Sequence, residues 1–170
     1  MNLHAMLLER EAAGRPVTVG LIGAGKFGTM FLAQARAIPG LHVVAVADLD
    51  AGRASRQLAT AGWDQGAIAA ASLGAALKSR STHVTPDAEA VIACPGIGVI
   101  IEATGVPGAG IRHALSAIAH GKHIVMVNVE ADALAGPLLA RKAKNAGLVY
   151  SLAWGDQPAL VCEHVDWARA

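Results

Sequence analysis

A glycine-rich segment near the amino terminus has the spacing of a phosphate-binding turn. Gly23-Ala24-Gly25-Lys26-Phe27-Gly28 reads GxGxxG and lies between a short apolar run and an amphipathic stretch, the setting such a turn requires. The first glycine permits a tight turn, the second admits a close pyrophosphate, and the third lets a helix lie against the strand. Backbone N–H groups and the dipole at the helix start would attract an anion. The alternative is a tight turn with no ligand. We predict that a dinucleotide pyrophosphate contacts Gly23, Gly25, Lys26, Phe27 and Gly28.

An acidic residue follows at the distance expected for ribose recognition. Asp48 ends the second apolar run, twenty residues after Gly28, where an acid accepts hydrogen bonds from the adenosine ribose hydroxyls. Such an acid repels a 2′-phosphate and favours NAD. Arg53 and Arg56 could bind that phosphate instead, or lie on a solvated helix face. Asp48 could also cap the next helix, although Asp50 is the better cap candidate. The predicted cofactor is therefore NAD(P).

Further polar residues follow later apolar runs, and ligands bind outside the carboxyl ends of such strands. Thr104 and Gly105 come after the fourth run and Asn128 lies at the end of the fifth. We predict that these three residues flank the nicotinamide. Glu102 is either a structural acid bonded to backbone or a site residue. The remaining acids of these loops either begin helices or belong to the site: Glu130, Asp132 and Asp156.

Residue types that ligate metals or act as nucleophiles form no recognisable site. No CxxC or HxxxH spacing occurs, and Cys94 and Cys162 are predicted to be packed thiols. His113 and His120 share a helix face while His123 begins a strand, which favours a surface helix end over zinc ligation. We therefore predict no metal, and no residue stands out as catalytic. The tryptophans are predicted to lie in the core or an interface: Trp63, Trp154 and Trp167.

The elements that must position these residues alternate between strand and helix. The predicted strands are Val17–Ile22, His42–Ala47, Thr82–Thr85, Gly98–Ala103, Ile124–Val129 and Leu148–Ala153. The predicted helices are Lys26–Ile38, Ala51–Ala61, Gln65–Lys78, a short one through Cys94, Gly110–His120, Ala131–Ala146 and a last one from Pro158. Parallel neighbours need crossover connections, and uniformly apolar strands are covered on both faces. The predicted fold class is α/β, a doubly wound, mostly parallel Rossmann sheet of about six strands.

Large apolar side chains define the predicted inward faces of the longer helices. They recur at helical spacing in four of the predicted helices. The inward residues are predicted to be Phe27, Phe31, Gln34/Ala35 and Ile38; Ile111, Leu115 and Ile118; Leu134, Leu138 and Ala143; and Leu160, Val161, Val165 and Ala168.

Length and composition exclude several classes of protein. The chain has 170 residues, enough for one ordinary domain. Hydrophobic residues make up 54% and charged residues 16%, which excludes disorder. The longest run without Asp, Glu, Lys or Arg spans residues 65–77, too short for a membrane helix. A net charge of +1, with no basic cluster beyond residues 141–144, gives no sign of nucleic-acid binding.

The first fifteen residues are predicted to form an amphipathic helix ahead of the dinucleotide-binding domain, residues 16–170. One face of this helix would pack on the domain or on a partner, through Leu3, Met6, Leu7 and Arg10. Charged residues follow where an export signal would carry its cleavage site. We therefore expect a cytoplasmic protein with reduced thiols.

The order of these segments resembles the amino-terminal domain of homoserine dehydrogenase-like oxidoreductases. The segments that carry the resemblance are GLIGAGKFG, VADLD, IIEATG and GKHIVMVNVEAD. A closer similarity is to a branch of predicted homoserine dehydrogenases, and it rests on MFLAQ and YSLAWGDQPAL. That branch includes proteins that resemble 1-deoxy-D-xylulose 5-phosphate reductoisomerase, and its members carry a SAF domain at the far end. The similarity covers essentially the whole chain.

The resemblance implies NAD(P)-dependent hydride transfer to or from a small hydroxy or carbonyl compound. One departure argues against homoserine as that compound. Homoserine dehydrogenases have a lysine beside the asparagine that follows the fifth strand, where this chain has Asn128-Val129-Glu130.

Family members are over twice as long as this chain, and their substrate and catalytic residues lie mostly beyond the cofactor domain. The resemblance therefore implies an isolated cofactor domain that acts on a small-molecule substrate. Its partner would be a second copy of the chain or a missing carboxyl-terminal catalytic domain. The alternative is a non-catalytic nucleotide-binding or redox-sensing module, which the lack of a convincing general acid or base favours.

Overall fold

The apolar runs form one fully parallel sheet. A computed structural model describes residues 2–153 and 157–169. Its strand order is β3-β2-β1-β4-β5-β6, the order of a doubly wound dinucleotide-binding sheet, so the predicted fold class is confirmed. The strands are β1 Val17–Ile22, β2 Leu41–Ala47, β3 His83–Thr85, β4 Val99–Glu102, β5 His123–Met126 and β6 Tyr150–Leu152.

Helices cover the sheet through two apolar clusters. The helices are α1 Leu3–Ala12, α2 Lys26–Ala35, α3 Ala51–Thr60, α4 Leu73–Ser79, α5 Ala88–Ala93, α6 Pro107–Ala119, α7 Val129–Asn145 and α8 Gln157–Arg169. One cluster joins α2 and α3 to the strands, and the other joins α4, α5, α6 and α7 to them. Covering both faces explains why the strands are apolar throughout rather than alternating. In the described ranges, no helix has the length and apolarity to cross a membrane.

Small residues, rather than large ones, form much of the buried face of the helices. On α2 the buried residues are Gly28, Leu32 and Ala35, whereas Phe27 is 37% exposed. The predicted inward stripe on this helix is therefore wrong at Phe27. The reason is steric, since a Cβ on Gly28 would overlap the carbonyl oxygen of Gly23. This close contact determines which face of the helix meets the strand.

The same correction applies to α6 and α7. Leu115 is 40% exposed, Leu134 is 72% exposed and Leu138 is 44% exposed, although all three were predicted to face inward. Close packing on the sheet favours small side chains at these contacts. The buried residues are Gly110, Ala114 and Ala117 on α6, and Ala131, Gly136, Leu139 and Ala143 on α7. The prediction for α7 is therefore confirmed at Ala143 and wrong at the two leucines.

Several predicted boundaries are also wrong. The helix predicted over Gln65–Lys78 is a 3₁₀ turn, Gln65–Ile68, followed separately by α4. Ser72 ends the break, because its side chain caps α4 by accepting from the N–H of Ala75. The fifth strand ends at Met126 rather than Val129. Beyond it, Asn128 is the N-cap of α7 rather than a strand residue.

The two terminal helices pack less than their apolar residues predict. Helix α1 buries no residue, and its main polar contacts run through Glu11, which accepts from the N–H of Gly40 and pairs with Arg80. On α8, Leu160 is half-buried and the rest of the predicted inward face is exposed. Cys162 is exposed as well, against the prediction of a packed thiol. Trp167 is 81% exposed and so lies outside the core, which leaves the interface alternative untested.

Adjacent leucines on α7 provide a test of the helix orientation. Leu139→Ala should lower the free energy of unfolding by about 2–5 kcal/mol, because Leu139 is fully buried. Leu138→Ala is the matched control and should lower stability by much less, about 0.5 kcal/mol, since Leu138 is 44% exposed. Urea denaturation of both variants measures the difference. A larger loss for Leu138→Ala would mean that the orientation of α7 is wrong.

Candidate cofactor-binding site

The glycine-rich turn joins the carboxyl end of β1 to α2. Gly23 has φ +99°, and a Cβ there would lie 2.6 Å from the carbonyl oxygen of Ala103 after β4. Only glycine meets both conditions. The turn therefore lies against the end of β4, at the point where the strand order reverses. Crevices at this point of a doubly wound sheet bind ligands.

Gly25 differs from the other two fingerprint glycines. Its φ is −74°, and a Cβ there would meet no atom within 4 Å. Gly25 is the N-cap of α2 and supplies no side-chain acceptor for the first-turn N–H groups. Lys26 and Phe27, which follow, are exposed. The start of α2 thus presents backbone donors to solvent beside a lysine.

Asp48 anchors the same turn from the end of β2. Its Oδ2 accepts from the N–H of Ala24 at 2.8 Å, and its Oδ1 accepts from the N–H of Asp50 at 3.0 Å. Arg53 Nη2 donates to both oxygens, at 2.7 and 2.9 Å. Asp48 is therefore paired with an arginine from α3. Its four hydrogen bonds occupy all the acceptor positions of the carboxylate. Asp50, and not Asp48, caps α3, by accepting from the N–H of Arg53.

The charge of Asp48 is stabilised by these contacts. Burial would raise the pKa of Asp48, but the N–H groups of Ala24 and Asp50 and the guanidinium of Arg53 outweigh it and lower the pKa below its usual value. The side chain of Arg53 is half exposed, whereas that of Asp48 is buried. Arg56 pairs instead with Asp50 at the surface, where its Nη2 lies 3.9 Å from Asp50 Oδ2.

The predicted nicotinamide-side residues lie together after β4 and β5. Thr104 Oγ1 donates to Glu102 Oε1 at 2.6 Å, and it accepts from the N–H of Val106 at 3.3 Å. Asn128 Nδ2 donates to the same hydroxyl at 3.4 Å, while Asn128 Oδ1 accepts from the N–H of Ala131. Gly105 is exposed between these groups. Asn128 is only 2% exposed, so it contacts the loop from the interior of the protein.

A buried acid and a histidine adjoin this loop. Glu102 has no exposed surface, and His113 Nδ1 from α6 lies 3.2 Å from its Oε1. The interpretation of His113 as part of a surface helix end is therefore wrong. His113 follows Gly110 at helical spacing and precedes Ala114, so the stripe of small residues on α6 could have identified it. His120, by contrast, is exposed at the end of α6.

A second acid of this region pairs with a tyrosine. Tyr150 OH donates to Asp132 Oδ1 at 2.8 Å, which links β6 to the first turn of α7. Burial first, and then the Asp132 carboxylate, raise the pKa of Tyr150 well above its usual value, so it stays protonated. Glu130 is exposed in the same turn. Asp156, with Trp154 and Gly155, lies outside the described residues.

The remaining reactive side chains form no metal site in the parts of the chain that the structure describes. No group of three or more His, Cys, Asp or Glu side chains there could hold a metal ion. Cys94 is buried, as predicted for a packed thiol. Trp63 is partly buried, and its indole N–H donates to the carbonyl of Leu32.

A comparison with family models identifies the chain. Residues 19–151 match the model described as homoserine dehydrogenase, NAD binding domain. The chain belongs to this family. The match begins in β1 and ends in β6, so the homoserine dehydrogenase NAD-binding domain family accounts for the whole sheet except its first two residues and its last. No curated protein matches the chain significantly.

Solved structures share the fold of this NAD-binding domain. A homoserine dehydrogenase from Thiobacillus denitrificans is 22% identical, with a TM-score of 0.63 over 81% of this chain and 29% of its own. A myo-inositol dehydrogenase from Lactobacillus casei, solved with NAD(H) and myo-inositol, is 21% identical, with a TM-score of 0.61 over 84% of this chain and 38% of its own. A biliverdin reductase from Synechocystis, solved with biliverdin and NADP⁺, is 19% identical, with a TM-score of 0.62 over 81% of this chain and 37% of its own. The chain spans about a third of the length of these proteins.

The contacts of Asp48 predict a pH-dependent contribution to stability. Because its pKa is lowered in the folded state, the contribution is fully present above the unfolded value of about 3.9 and is lost as pH falls through the folded value. Asp48→Asn should therefore lower the free energy of unfolding by about 1–3 kcal/mol at pH 7, and by less at pH 3. Urea denaturation at both pH values measures this.

Asp64→Asn is the matched control for this measurement. Asp64 is exposed and its side chain makes no capping hydrogen bond. The control should change stability little at either pH. An equal loss at pH 7 and pH 3 for Asp48→Asn would show that the charge of Asp48 contributes nothing.

Proposed function

We propose that this chain binds the NAD(P) cofactor of an oxidoreductase that transfers a hydride to or from a small hydroxy or carbonyl compound. The observation that carries the proposal is Gly25. Its backbone angle is ordinary and the space beside it is open, so folding alone places no demand for glycine there. A pyrophosphate against the backbone does demand glycine. The family match supports the same ligand class.

The pyrophosphate would lie against the start of α2. Its oxygens would accept from the N–H groups that no side chain caps, with the positive end of the helix dipole directed at them. Lys26 adds a positive charge at this exposed surface. The contacts proposed are Gly23, Gly25, Lys26, Phe27 and Gly28.

The adenosine ribose would compete with Arg53 for Asp48. All acceptor positions of the Asp48 carboxylate are used within the chain, so ribose hydroxyls can donate to it only if Arg53 moves away. Arg53 is half exposed and free to do so. Once displaced, Arg53 would lie beside the 2′ position, where a guanidinium favours a phosphate. The pair therefore admits both NAD and NADP, and Arg53 tilts the balance toward NADP.

The nicotinamide would lie over the loop after β4, flanked by Thr104, Gly105 and Asn128. The hydroxyl of Thr104 has one proton, which it donates to Glu102. Thr104 therefore offers the cofactor no side-chain donor, and donors at this end must come from the main chain of the loop. The cofactor supplies the hydride chemistry, and these residues orient its ring.

The substrate class rests on the resemblance to homoserine dehydrogenases, while Asn128-Val129-Glu130 argues against homoserine itself. The structure of the myo-inositol dehydrogenase contains NAD(H) and myo-inositol, a small polyhydroxy compound. This supports a small hydroxy compound as the substrate here. Neither comparison selects one compound.

Substitution of Gly25 tests cofactor binding directly. Gly25→Val should abolish binding of NAD⁺, NADH, NADP⁺ and NADPH in calorimetric titration, because the added side chain occupies the space of the pyrophosphate. Helix content by circular dichroism should stay nearly unchanged, since no protein atom lies within 4 Å of the added Cβ. If the unaltered protein binds none of the four dinucleotides, the proposed function is wrong.

Gly74→Val is the matched control for this variant. Gly74 also has open space at its Cβ position, but it lies in α4, away from the fingerprint turn. Binding by this control should equal that of the unaltered protein. A loss of binding in the control would show that valine acts through folding rather than through the cofactor.

The pairing of Arg53 with Asp48 predicts a change in cofactor preference. Arg53→Gln should strengthen NAD⁺ binding, because the ribose no longer displaces a cation, and weaken NADP⁺ binding, because a phosphate partner is lost. The ratio of the two dissociation constants should change by about tenfold, equivalent to about 1.4 kcal/mol. Arg56→Gln is the control and should leave the ratio unchanged. The opposite shift would contradict the role of Arg53.

A further inference from the structure

Glu102 is a buried acid without a full set of partners. Glu102 is the last residue of β4 and has no exposed surface. Its Oε1 forms hydrogen bonds with both Thr104 Oγ1 and His113 Nδ1. Its Oε2 has no hydrogen-bond partner among the described residues. Burying a carboxylate is unfavourable unless it is paired, and no arginine or lysine of the described chain lies within ion-pair distance. A fold that only needed to fill this position would use an apolar side chain.

A chain of hydrogen bonds links Glu102 to the loop of residues 104–106, which follows β4. Thr104 donates to Glu102, and the N–H of Val106 donates to Thr104. Val106 is the N-cap residue of α6, and its apolar side chain cannot cap the helix. The conformation of residues 104–106 therefore depends on the Thr104 hydroxyl, and the orientation of that hydroxyl depends on Glu102.

Two helices hold the acid and the threonine that donates to it. His113 approaches from α6, and Asn128, the N-cap of α7, donates to Thr104. Gly110 of α6 lies close to both groups, because a Cβ on it would be 2.8 Å from Asn128 Nδ2 and 3.1 Å from Glu102 Oε2. The acid thus connects β4, α6 and α7 at one point beneath the loop.

We propose that Glu102 is a positioning residue for the nicotinamide half of the cofactor, acting through Thr104 on the loop 104–106. This inference rests on the proposed function. Its distinguishing feature is that Glu102 affects one half of the ligand only. The adenosine and pyrophosphate halves contact β1, α2 and β2, whose turn Asp48 holds by separate hydrogen bonds.

ADP-ribose and NADH separate the two halves experimentally, because ADP-ribose lacks the nicotinamide. In the unaltered protein NADH should bind more tightly than ADP-ribose. Glu102→Leu, which fills the space without an acceptor, should weaken NADH by about tenfold and ADP-ribose by less than about twofold. Calorimetry gives both affinities, and the fluorescence of bound NADH should move toward that of free NADH.

Two further variants identify the route of the effect. Thr104→Val removes the donor and should reproduce the loss caused by Glu102→Leu, while the double variant should lose no more than either single one, because both break one chain of contacts. Glu102→Gln keeps an acceptor for Thr104 and should restore most of the NADH affinity. Should Glu102→Leu fail to fold, Thr104→Val and Glu102→Gln still carry the test.

Thr82→Val is the structural control. Thr82 is fully buried, and its hydroxyl donates to the carbonyl of Val43 at 2.6 Å, at the amino end of the sheet. It should lower stability without changing the ratio of NADH to ADP-ribose affinity. Equal losses of both ligands in the Glu102 and Thr104 variants, or no loss, would overturn the inference, as would equal binding of both ligands by the unaltered protein. Binding of neither ligand by the unaltered protein would instead refute the proposed function.

Discussion

The close contact between the start of α2 and the turn that precedes it determines the geometry of the candidate site. No Cβ fits at Gly28 beside the carbonyl of Gly23, so the helix has one orientation on the strand. That orientation buries Leu32 and Ala35 and exposes Gly25, Lys26 and Phe27 at the edge of the sheet. The exposed start of α2, where an anion could bind, is thus a consequence of the packing of Gly28 against the strand on the other side of the helix.

Two carboxylates hold the loops at this edge, and they are stabilised differently. Asp48 accepts four hydrogen bonds, two of them from a half-exposed arginine. Glu102 has two partners on one oxygen and lies wholly inside. Exchangeable contacts suit a position where a ligand must be admitted, whereas enclosed contacts suit a position where a loop must stay still. If the cofactor binds as proposed, its adenosine end would meet the exchangeable contacts and its nicotinamide end the enclosed ones.

The fold was predictable from sequence because apolar runs that alternate with helices are compatible with few topologies. In a parallel sheet the carboxyl ends of the strands share one edge, so the residues that follow the strands could also be placed at that edge. Helix orientation was not predictable from large apolar residues, since Leu134 and Leu138 are exposed while Ala131 and Leu139 are buried. The positions of the fingerprint glycines and of Asp48 at one edge agree with the sequence pattern. The pairing of Arg53 with Asp48, and of His113 with Glu102, depends on packing between elements, which residue spacing does not encode.

The strand order also has a consequence for how the chain folds. Every pair of neighbours in the sheet is parallel, and β1 pairs with β4 from Val19↔Val99 to Ile22↔Glu102, across all the chain that forms β2 and β3. Closing a long loop costs entropy before β1 and β4 contact each other, and non-local parallel pairings of this kind generally form slowly. The glycine-rich turn lies at that seam, against Ala103. The crevice at this seam is complete only when β1 and β4, which come from the two halves of the chain, are paired.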